Sequence, residues 1–552
     1  MLKEFLQQST SINGRARNRA VTQTVELGNL IPPTVSYESS GRTLLIGPSD
    51  IVQRVYHQLS GVMSSVTLLS TDGEPSDVEG MYYTDSVEIS GFLGQFNVWV
   101  EHQAQSHNLA QIAIQASHFD IVVDLCLTSC MDQQVAVPGY YPVGRGTPKL
   151  AEALEEIPTL VGTFDKPKYF RLDTDLCAHS SRGVTGCERC VDACPAGALS
   201  SQGSPQTGFK IDINPYLCQG IGTCATSCPT EAIHYALPDP HSTQKFIERT
   251  LSNYLNAQGK SPVVFFCSQQ DEEQTVKALS KLDDNFIPIE LEEVSSVGID
   301  TWFAALANGA HQVLISVDSN MPSTALKVLN QELCMAHALL EQLNINSRRI
   351  SLVYRDSDFS VTGFDEPLCV PIGELEGNKR ERLFQALEAI SERHIPLNKQ
   401  FLLHENAPFG NIECASDDCT SCMSCVAVCP TGAIHSDGQS PKIEFIEQDC
   451  VQCGLCVKAC PEQVLSRQPR FNWDHQQRRS TVILHQEPAA HCLRCHKPFA
   501  PQSMITKLQD KLRGHSHFSN SAALDRIAMC EDCRVIDMFE SLAHDPLKQL
   551  NI

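Results

Sequence analysis

The stretch CTSCMSCVAVCP at residues 419–430 is repeated as CVQCGLCVKACP at residues 450–461. In each copy, three cysteines fall on one short loop and a fourth precedes a proline. Three thiolates on such a loop reach three irons of one cubane, while the cysteine before proline binds the neighbouring cluster. Zinc or a disulfide cage is the alternative, and the duplicated spacing with both prolines disfavours it. We therefore predict two 4Fe–4S clusters, one held by Cys419, Cys422, Cys425 and Cys460 and the other by Cys450, Cys453, Cys456 and Cys429.

A second pair of cysteine runs, between residues 177 and 229, departs from this pattern. Its first run lacks a cysteine three positions before Cys187, and the nearest upstream thiol is Cys177. Because the entropic cost of closing a loop grows only logarithmically with its length, Cys177 is expected to complete the set. With the crossing Cys228 included, the ligands predicted for a third 4Fe–4S cluster are Cys177, Cys187, Cys190 and Cys228.

The second run of this block has Ile221 where the pattern requires its middle cysteine. An isoleucine side chain cannot bind iron, so one corner of the cluster lacks a thiolate from this loop. Three alternatives remain open: a 3Fe–4S cluster, a 4Fe–4S cluster with water or another side chain at the fourth iron, and an empty half-site. The ligands predicted for this site are Cys194, Cys218 and Cys224.

The C-terminal tail carries two further pairs of cysteines, each with two intervening residues. Four thiolates in two such pairs are typical of tetrahedral zinc, which substitutes for a core too small to fold alone. The pairs resemble zinc-ribbon knuckles. A rubredoxin-like iron site needs the same ligands, but His496 and Arg534 stand where such sites usually have glycine. We predict zinc, with iron or no metal as alternatives, at Cys492, Cys495, Cys530 and Cys533.

The remaining cysteines belong to none of these sets. Cys126 and Cys130 follow an apolar stretch, and two interpretations remain open for them, a redox pair or two buried thiols, of which the buried thiol is the commoner fate. Cys414 precedes a set that is already complete, and no role is predicted for it. The other unassigned cysteines are Cys267, Cys334 and Cys369.

Short apolar runs alternate with amphipathic stretches around the cysteine blocks, which is typical of parallel α/β sheets. In the central region, strands are predicted at 262–266, 286–289, 312–317 and 350–354, with helices at 271–282, 300–307 and 324–343. The first 150 residues show strand candidates at 43–46, 66–69 and 119–125. After Ser466 the chain turns basic and polar, which predicts a linker.

Composition narrows the function classes. The chain has 552 residues, 42 Lys and Arg against 65 Asp and Glu, and a net charge of -23, so nucleic acid is not an expected partner. No stretch offers the run of apolar residues that a membrane span requires. The first residues lack a secretory signal, and the 25 cysteines, 19 of which fall in the predicted ligand sets, suit a reducing compartment, which predicts a cytoplasmic protein.

The cysteine blocks resemble bacterial two-cluster ferredoxins, the second block over about 60 residues. On this resemblance we expect a multidomain α/β protein in which two ferredoxin modules of α+β type lie between and after doubly wound α/β domains, followed by a zinc-ribbon-like tail. The predicted units are an N-terminal α/β domain at 1–160, module 1 at 165–240, a central α/β domain at 255–398, module 2 at 405–468 and the tail at 480–552.

Two further resemblances extend beyond the modules. The central domain, with strand 286–289 leading to residues 304–315, resembles the iron–sulfur subunit of methyl-viologen-type hydrogenase and heterodisulfide reductase systems. Only Cys267 matches a cysteine position of that family, which implies a docking role. Segments 164–170, 177–180 and 530–535 resemble large proteobacterial 4Fe–4S binding proteins that are often encoded near formate dehydrogenase. This resemblance implies an association with formate oxidation, although that group normally has cysteine where Ile221 stands.

The leading hypothesis is a soluble electron carrier that passes single electrons between redox protein partners and binds no organic substrate. No catalytic residue is predicted, because no catalytic constellation accompanies the paired blocks. Two other hypotheses remain open. One is an accessory or assembly factor for a metalloenzyme, and the other is a redox enzyme subunit that binds a flavin in its N-terminal α/β domain.

Overall fold

The structure is a computed structural model, and it describes residues 1–24, 33–72, 79–102, 105–145, 150–180, 183–355, 363–515, 518 and 521–544. None of the helices in these ranges is both long enough and apolar enough to cross a membrane. The chain begins with helices α1 (Leu2–Gln7) and α2 (Ile12–Gln23).

The N-terminal unit is built on a five-stranded parallel sheet with the order β4-β3-β2-β8-β9. The strand candidates of the sequence are confirmed, and Leu45 and Val122 at its centre are fully buried. The order reverses between β2 and β8. The strands are β1 (Thr34–Ser39), β2 (Arg42–Gly47), β3 (Ser65–Ser70), β4 (Met81–Tyr83), β5 (Val87–Ser90), β6 (Asn97–His102), β7 (Gln105–Asn108), β8 (Ile121–Asp124), β9 (Tyr140–Pro142) and β10 (Gly162–Pro167), and the helices are α3 (Ser49–Leu59), α4 (Leu109–Ile114) and α5 (Leu150–Glu156).

Module 1 consists of two antiparallel strand pairs and two short helices around a core rich in cysteine. The outer pair joins β11 to β14, which brings the two ends of the module together. Its elements are β11 (Phe170–Leu172), α6 (Arg189–Asp192), β12 (Leu199–Ser204), β13 (Gly208–Ile213), α7 (Thr223–Ser227) and β14 (Ile233–Tyr235).

The central unit is a four-stranded parallel sheet of order β16-β15-β17-β18 with helices on both faces. Alternate residues of β15 supply the two cores, since Val264 and Phe266 lie in one cluster and Val263 and Phe265 lie in the other. All four predicted strands and all three predicted helices are confirmed. The elements are α8 (Pro240–Asn256), β15 (Val263–Ser268), α9 (Glu272–Leu279), β16 (Phe286–Leu291), α10 (Ile299–Ala307), β17 (Gln312–Val317), α11 (Ser323–Gln342), β18 (Ile350–Tyr354) and α12 (Lys379–Ser391).

Helices α1 and α2 pack on this central sheet, although the sequence boundaries included them in the N-terminal unit. Leu2 and Leu6 join the core that contains Phe265. On α2, the Arg17 side chain is 1% exposed and its Nη2 lies 2.8 Å from Asp284 Oδ1. The start of the chain is therefore anchored to residues about 270 positions away.

Module 2 repeats the plan of module 1, with a longer outer strand pair and a shorter inner pair. The predicted linker after Ser466 is wrong, because this segment forms β23, which pairs with both β19 and β20. The basic residues fit within the strand because they have partners, and Arg470 bonds both carboxylate oxygens of Glu447 at 2.8 Å. The elements are β19 (Gln400–Leu402), β20 (Gly410–Cys414), α13 (Ser424–Val428), β21 (Ile434–His435), β22 (Lys442–Ile446), α14 (Leu455–Ala459) and β23 (Leu465–Asn472).

The tail begins as an extension of module 2, because β24 pairs with β22. A small hairpin of β25 and β26 follows, and three helices complete the described part of the tail. The elements are α15 (His475–Arg479), β24 (Thr481–Gln486), β25 (Ala489–His491), β26 (Pro498–Pro501), α16 (Gln502–Leu512), α17 (Ser521–Ile527) and α18 (Glu531–His544).

Candidate metal centres

The two predicted ligand sets of module 2 each surround a separate cavity. The first cavity also contacts Met423, Ile443 and Leu465, and the second contacts Ile412 and Leu455, so both are walled by hydrocarbon. In each set, the cysteine before proline comes from the other run. The first cavity is lined by Cys419, Cys422, Cys425 and Cys460, and the second by Cys429, Cys450, Cys453 and Cys456.

The loops that carry these cysteines share an unusual backbone conformation. In the first loop Ser421 and Met423 have positive φ angles of 47° and 60°, and in the second Gln452 and Gly454 have 54° and 79°. Residues in the left-handed region turn successive amide N–H groups to one side, which forms a concave anion site. The amides of Ser421 and Gln452 accordingly donate to the sulfur of the first cysteine in their own loop.

The loop around Ile221 in module 1 has the same conformation. Gly220 and Gly222 have positive φ angles of 76° and 92°, and the Gly220 amide donates to the Cys218 sulfur. Ile221 therefore occupies the backbone position that Cys453 holds in module 2. The structure places the three predicted thiols of this site near one another, because Cys194 interacts electrostatically with both Cys218 and Cys224.

The Ile221 loop also contacts the central unit. Ser295 Oγ donates to the Ile221 carbonyl oxygen at 2.5 Å, and Thr226 Oγ1 donates to the Ser295 carbonyl oxygen at 2.6 Å. A Cβ atom on Gly222 would lie only 2.6 Å from the Ser296 Cα. Because this close approach requires glycine, the sequence of the loop fits docking as well as cluster binding.

The long loop from Cys177 to Cys187 closes on itself. The Cys187 amide donates to the Ala178 carbonyl at 3.2 Å, and a Cβ atom on Gly186 would lie 2.0 Å from that oxygen. The loop ends therefore touch, which places Cys177 beside the later cysteines despite its distance in sequence. The Cys190 thiol interacts electrostatically with Cys228, Cys187 and Cys177, so the four predicted ligands lie together.

These thiols are buried, and burial disfavours their negatively charged thiolate form. It raises the pKa of Cys425 to about 12 and that of Cys187 and Cys453 to about 11. A bare thiolate is disfavoured there, whereas a bound cation deprotonates a coordinating thiol outright. Grouped, buried thiols with inward-facing amides are the donor set that an iron–sulfur cluster requires, so the residues present fit this cofactor.

The four tail cysteines also converge. Their Sγ atoms all lie within 4.8 Å of one another, and those of Cys495 and Cys530 are 3.7 Å apart. Sulfur atoms bound at about 2.3 Å from a tetrahedral zinc ion are separated by about 3.8 Å. Burial opposes ionisation of Cys492, yet the amides of Cys495, Cys530 and Arg494 lower its pKa to about 6. The group therefore fits a single tetrahedral metal ion.

Modules 1 and 2 contact each other directly. Lys458 Nζ donates to the Thr185 carbonyl oxygen at 2.9 Å, and the thiols of Cys187 and Cys453 are close enough to interact electrostatically. One predicted ligand of module 1 therefore faces one predicted ligand of module 2.

Helix α12 of the central unit contacts both modules with adjacent residues. Lys379 Nζ donates to the Thr226 carbonyl oxygen of module 1 at 2.6 Å. Arg380 Nη2 donates to the Cys450 carbonyl oxygen of module 2 at 2.9 Å. The first turn of one helix thus fixes the two modules relative to each other.

Sequence reasoning missed one thiol. Cys414 ends β20 beside the Cys419 side chain, and a hydrogen bond between the two thiols lowers the pKa of Cys419 to about 6. The only signal in the sequence was its closeness to Cys419. Cys267 and Cys369 are buried, and their thiols lie 3.7 Å and 3.4 Å from backbone carbonyl oxygens.

Comparison with known protein families identifies both modules. Residues 185–232 and residues 418–465 each match a family model described as a 4Fe-4S dicluster domain. The matched segments include Cys187 to Cys228 and Cys419 to Cys460, whereas Cys177 and Cys414 precede them. No curated protein matches the chain. The protein therefore contains two ferredoxin-type 4Fe–4S domains.

Proposed function

We propose that the protein is an electron carrier that passes single electrons through ferredoxin-type clusters in both modules. The observation that carries this proposal is the direct contact between the two dicluster domains, at Lys458 and Thr185 and between Cys187 and Cys453. When bound, the clusters supply one-electron oxidation and reduction. Cysteines that face each other across the contact keep the electron path short and inside protein.

We propose three 4Fe–4S clusters and one incomplete cluster. The complete sets are the two of module 2 and the set of Cys177, Cys187, Cys190 and Cys228. At the fourth site, Ile221 holds the place of a ligand, and the proposed occupant is a 3Fe–4S cluster bound by Cys194, Cys218 and Cys224. Zinc is proposed for the tail, where the sulfur spacing suits it.

The incomplete site also gives the path a proposed direction. Cluster potential depends on cluster type, charge and hydrogen bonds to sulfur. A 3Fe–4S cluster usually has a higher potential than neighbouring 4Fe–4S clusters, so reduction at the Ile221 site is proposed to be easier than at a complete set. Electrons are therefore proposed to run from module 2 towards the Ile221 site of module 1.

The proposed partners are redox proteins, and the resemblance to formate dehydrogenase-associated proteins selects a formate dehydrogenase as the first donor to test. The proposed location is the cytoplasm. The N-terminal and central α/β units are proposed to be scaffolds that hold the modules and present them to partners, as the contacts of Lys379 and Arg380 support.

Electron paramagnetic resonance of the anaerobically purified protein tests the cofactors. Spectra of oxidised and reduced samples are compared with iron, sulfide and zinc counts on the same preparation. The proposal expects about 15 irons per chain for three 4Fe–4S clusters and one 3Fe–4S cluster, together with one zinc. An iron-free preparation made without exposure to air overturns it.

Stopped-flow mixing with a reduced donor separates carrier from accessory factor. A carrier becomes reduced and then passes electrons to an acceptor on the timescale of enzyme turnover, which is about 1 to 1,000 per second. Clusters that stay oxidised for minutes under these conditions favour the assembly-factor hypothesis. A yellow chromophore released by acid favours the flavin-enzyme hypothesis.

A further inference from the structure

Two cysteines outside the proposed metal centres lie side by side in the N-terminal unit. Cys126 and Cys130 follow β8, and their Sγ atoms are 3.9 Å apart. A disulfide bond is about 2.05 Å long, so rotation of the two side chains with a small loop adjustment brings the sulfur atoms to bonding distance. Both side chains are partly exposed, and Leu127 between them is 88% exposed. The pair is therefore accessible to a reagent from solution.

The pair lies at the carboxyl end of β8, at an edge of the sheet where α/β proteins commonly have reactive or binding groups. The strand order reverses between β2 and β8, and the crevice beyond the carboxyl ends of the strands opens at such a point. Thr71, which follows β3, reaches the same place, with its Oγ1 3.9 Å from the Cys126 Sγ. The carboxyl ends of β3 and β8 thus meet at the Cys126 thiol.

A buried carboxylate holds the loop in a fixed shape. Asp124 is fully buried, and its Oδ1 accepts from the Cys126 amide at 2.9 Å while its Oδ2 accepts from the Cys130 amide at 2.7 Å. The Tyr140 hydroxyl donates to the same Oδ2. Because both cysteine backbones bond one rigid group, the thiols remain paired without the entropic cost of finding each other.

These hydrogen bonds disfavour a metal ion at the pair. Asp124, Cys126 and Cys130 lie close enough to be ligands, but the carboxylate oxygens are already engaged by three donors. The remaining two thiols fall short of the three or four protein ligands that a zinc site uses.

We propose that Cys126 and Cys130 form a reversible dithiol–disulfide pair that exchanges with a low-molecular-weight disulfide of the glutathione type. The Cys126 sulfur attacks one sulfur of that disulfide, and a mixed disulfide forms as the first thiolate leaves. The Cys130 sulfur then attacks the Cys126 sulfur, and the second thiolate leaves. The two leaving thiolates take up the protons that the cysteines lose, so two electrons pass from the pair to the external disulfide.

The order of attack follows from the hydrogen bond between the thiols. Cys130 donates to the Cys126 sulfur, and this bond, together with burial and the charge of Asp124, raises the pKa of Cys130. Cys130 keeps its proton, and Cys126 is the nucleophile. Once Cys126 is in the mixed disulfide, its sulfur no longer carries charge, and Cys130 is released to react.

Mass spectrometry of the full-length holoprotein tests the pair. The protein is equilibrated without air in mixtures of reduced and oxidised glutathione, quenched in acid, alkylated and cut by a protease that cleaves before aspartate. Residues 124–131 then form one peptide with both cysteines and no others. We expect an unalkylated disulfide form that appears with at least tenfold less oxidised glutathione than modification of the exposed, single thiol Cys334 requires.

Two variants complete the design. Cys130→Ser is expected to stop at the mixed disulfide, with one glutathione on Cys126, whereas Cys334→Ser leaves the peptide result unchanged. Iron content is measured in each sample and is expected to stay constant. A negative result for the Cys126–Cys130 pair at constant iron content then contradicts the dithiol proposal without bearing on the proposed electron path. The proposal is overturned if the peptide stays fully alkylated at ratios that modify Cys334, or if Cys126→Ser removes about one bound zinc.

Discussion

Modules 1 and 2 have cysteine loops of similar backbone conformation but differ in the ligands that these loops carry. Module 2 has all eight cysteines in regular spacing, and its loops carry Met423 and Gly454 after their middle cysteines. Module 1 brings one cysteine from a long upstream loop and replaces another by Ile221, yet its second loop keeps the same pattern of positive φ angles. The loop conformation is therefore retained where a ligand is not, so the backbone shape does not depend on the number of thiolate ligands.

The two modules also differ in what surrounds them. The Ile221 loop of module 1 docks on the central unit through Ser295, whereas the loop that contains Cys453 faces module 1 through Cys187. A loop that docks on a neighbouring unit is shielded from solvent there and needs fewer polar residues. The Ile221 loop accordingly has a glycine on either side of Ile221.

Matched serine variants compare the ligand counts most directly. Cys456 and Cys224 occupy equivalent places, each at the third ligand position of the pattern. Because a hydroxyl is a poor ligand for iron in such clusters, Cys456→Ser is expected to remove about four irons and Cys224→Ser about three. Iron and sulfide analysis measures both. Cys334→Ser is the control with no loss, and equal losses from the two variants contradict the proposed 3Fe–4S site.

Restoring the missing ligand is the next test. Ile221→Cys is expected to add about one iron per chain and to replace the 3Fe–4S signal of the oxidised protein, because the loop already has the conformation of its counterpart. Electron paramagnetic resonance and iron counting follow the change, and Ile221→Val serves as the control. An unchanged iron count contradicts the proposed 3Fe–4S cluster.

The docking of module 1 gives a stability prediction. Arg382 on α12 is 2% exposed and its Nη2 lies 2.6 Å from Glu231 Oε1. Arg382→Met leaves that carboxylate in a largely buried place, and we expect the local opening free energy of module 1 to fall by about 3 kcal/mol. Hydrogen exchange at residues 223–235 measures it.

The control for this variant is an exposed pair. Arg54→Met removes a contact with Asp50 in which both side chains are more than 70% exposed, and it is expected to cost under about 0.5 kcal/mol. Unchanged exchange at residues 424–435 of module 2 would localise the effect of Arg382→Met to module 1. Equal losses in both modules contradict the contrast.

The smallest predicted effect concerns Cys414, for which module 1 has no equivalent cysteine. Its thiol bonds the Cys419 sulfur, and a donor to a cluster sulfur stabilises the reduced state. Cys414→Ala is therefore expected to lower the midpoint potential of one cluster of module 2 and of none in module 1. Redox titration followed by resonance spectra measures the shift, and a rise in potential argues against the hydrogen bond.

Sequence patterns predicted what is local or periodic. The strand at 312–317 is predicted correctly because a mostly apolar run between helical patterns is typical of a buried parallel strand. The cysteine groups of module 2 were predicted from spacing, since short loops limit which thiols meet.

Contacts between distant segments were not predictable in this way. The strand β23 reads as a linker because Arg467 and Arg470 look solvated, but Arg467 Nη1 donates to the Gln452 carbonyl at 2.9 Å and Arg470 pairs with Glu447. Nor does any local pattern place Leu2 against the central sheet. Such pairings depend on partners far away in the chain, which a single sequence does not reveal.

The contacts of α12 with both modules hold the two modules together. About 190 residues separate Cys228 from Cys419. A flexible tether of that length has an average span of about 75 Å, far beyond the reach of rapid tunnelling between cofactors. The folded central unit converts this tether into a rigid spacer, so the distance between the two modules is set by the contacts of α12 and not by diffusion of two tethered domains.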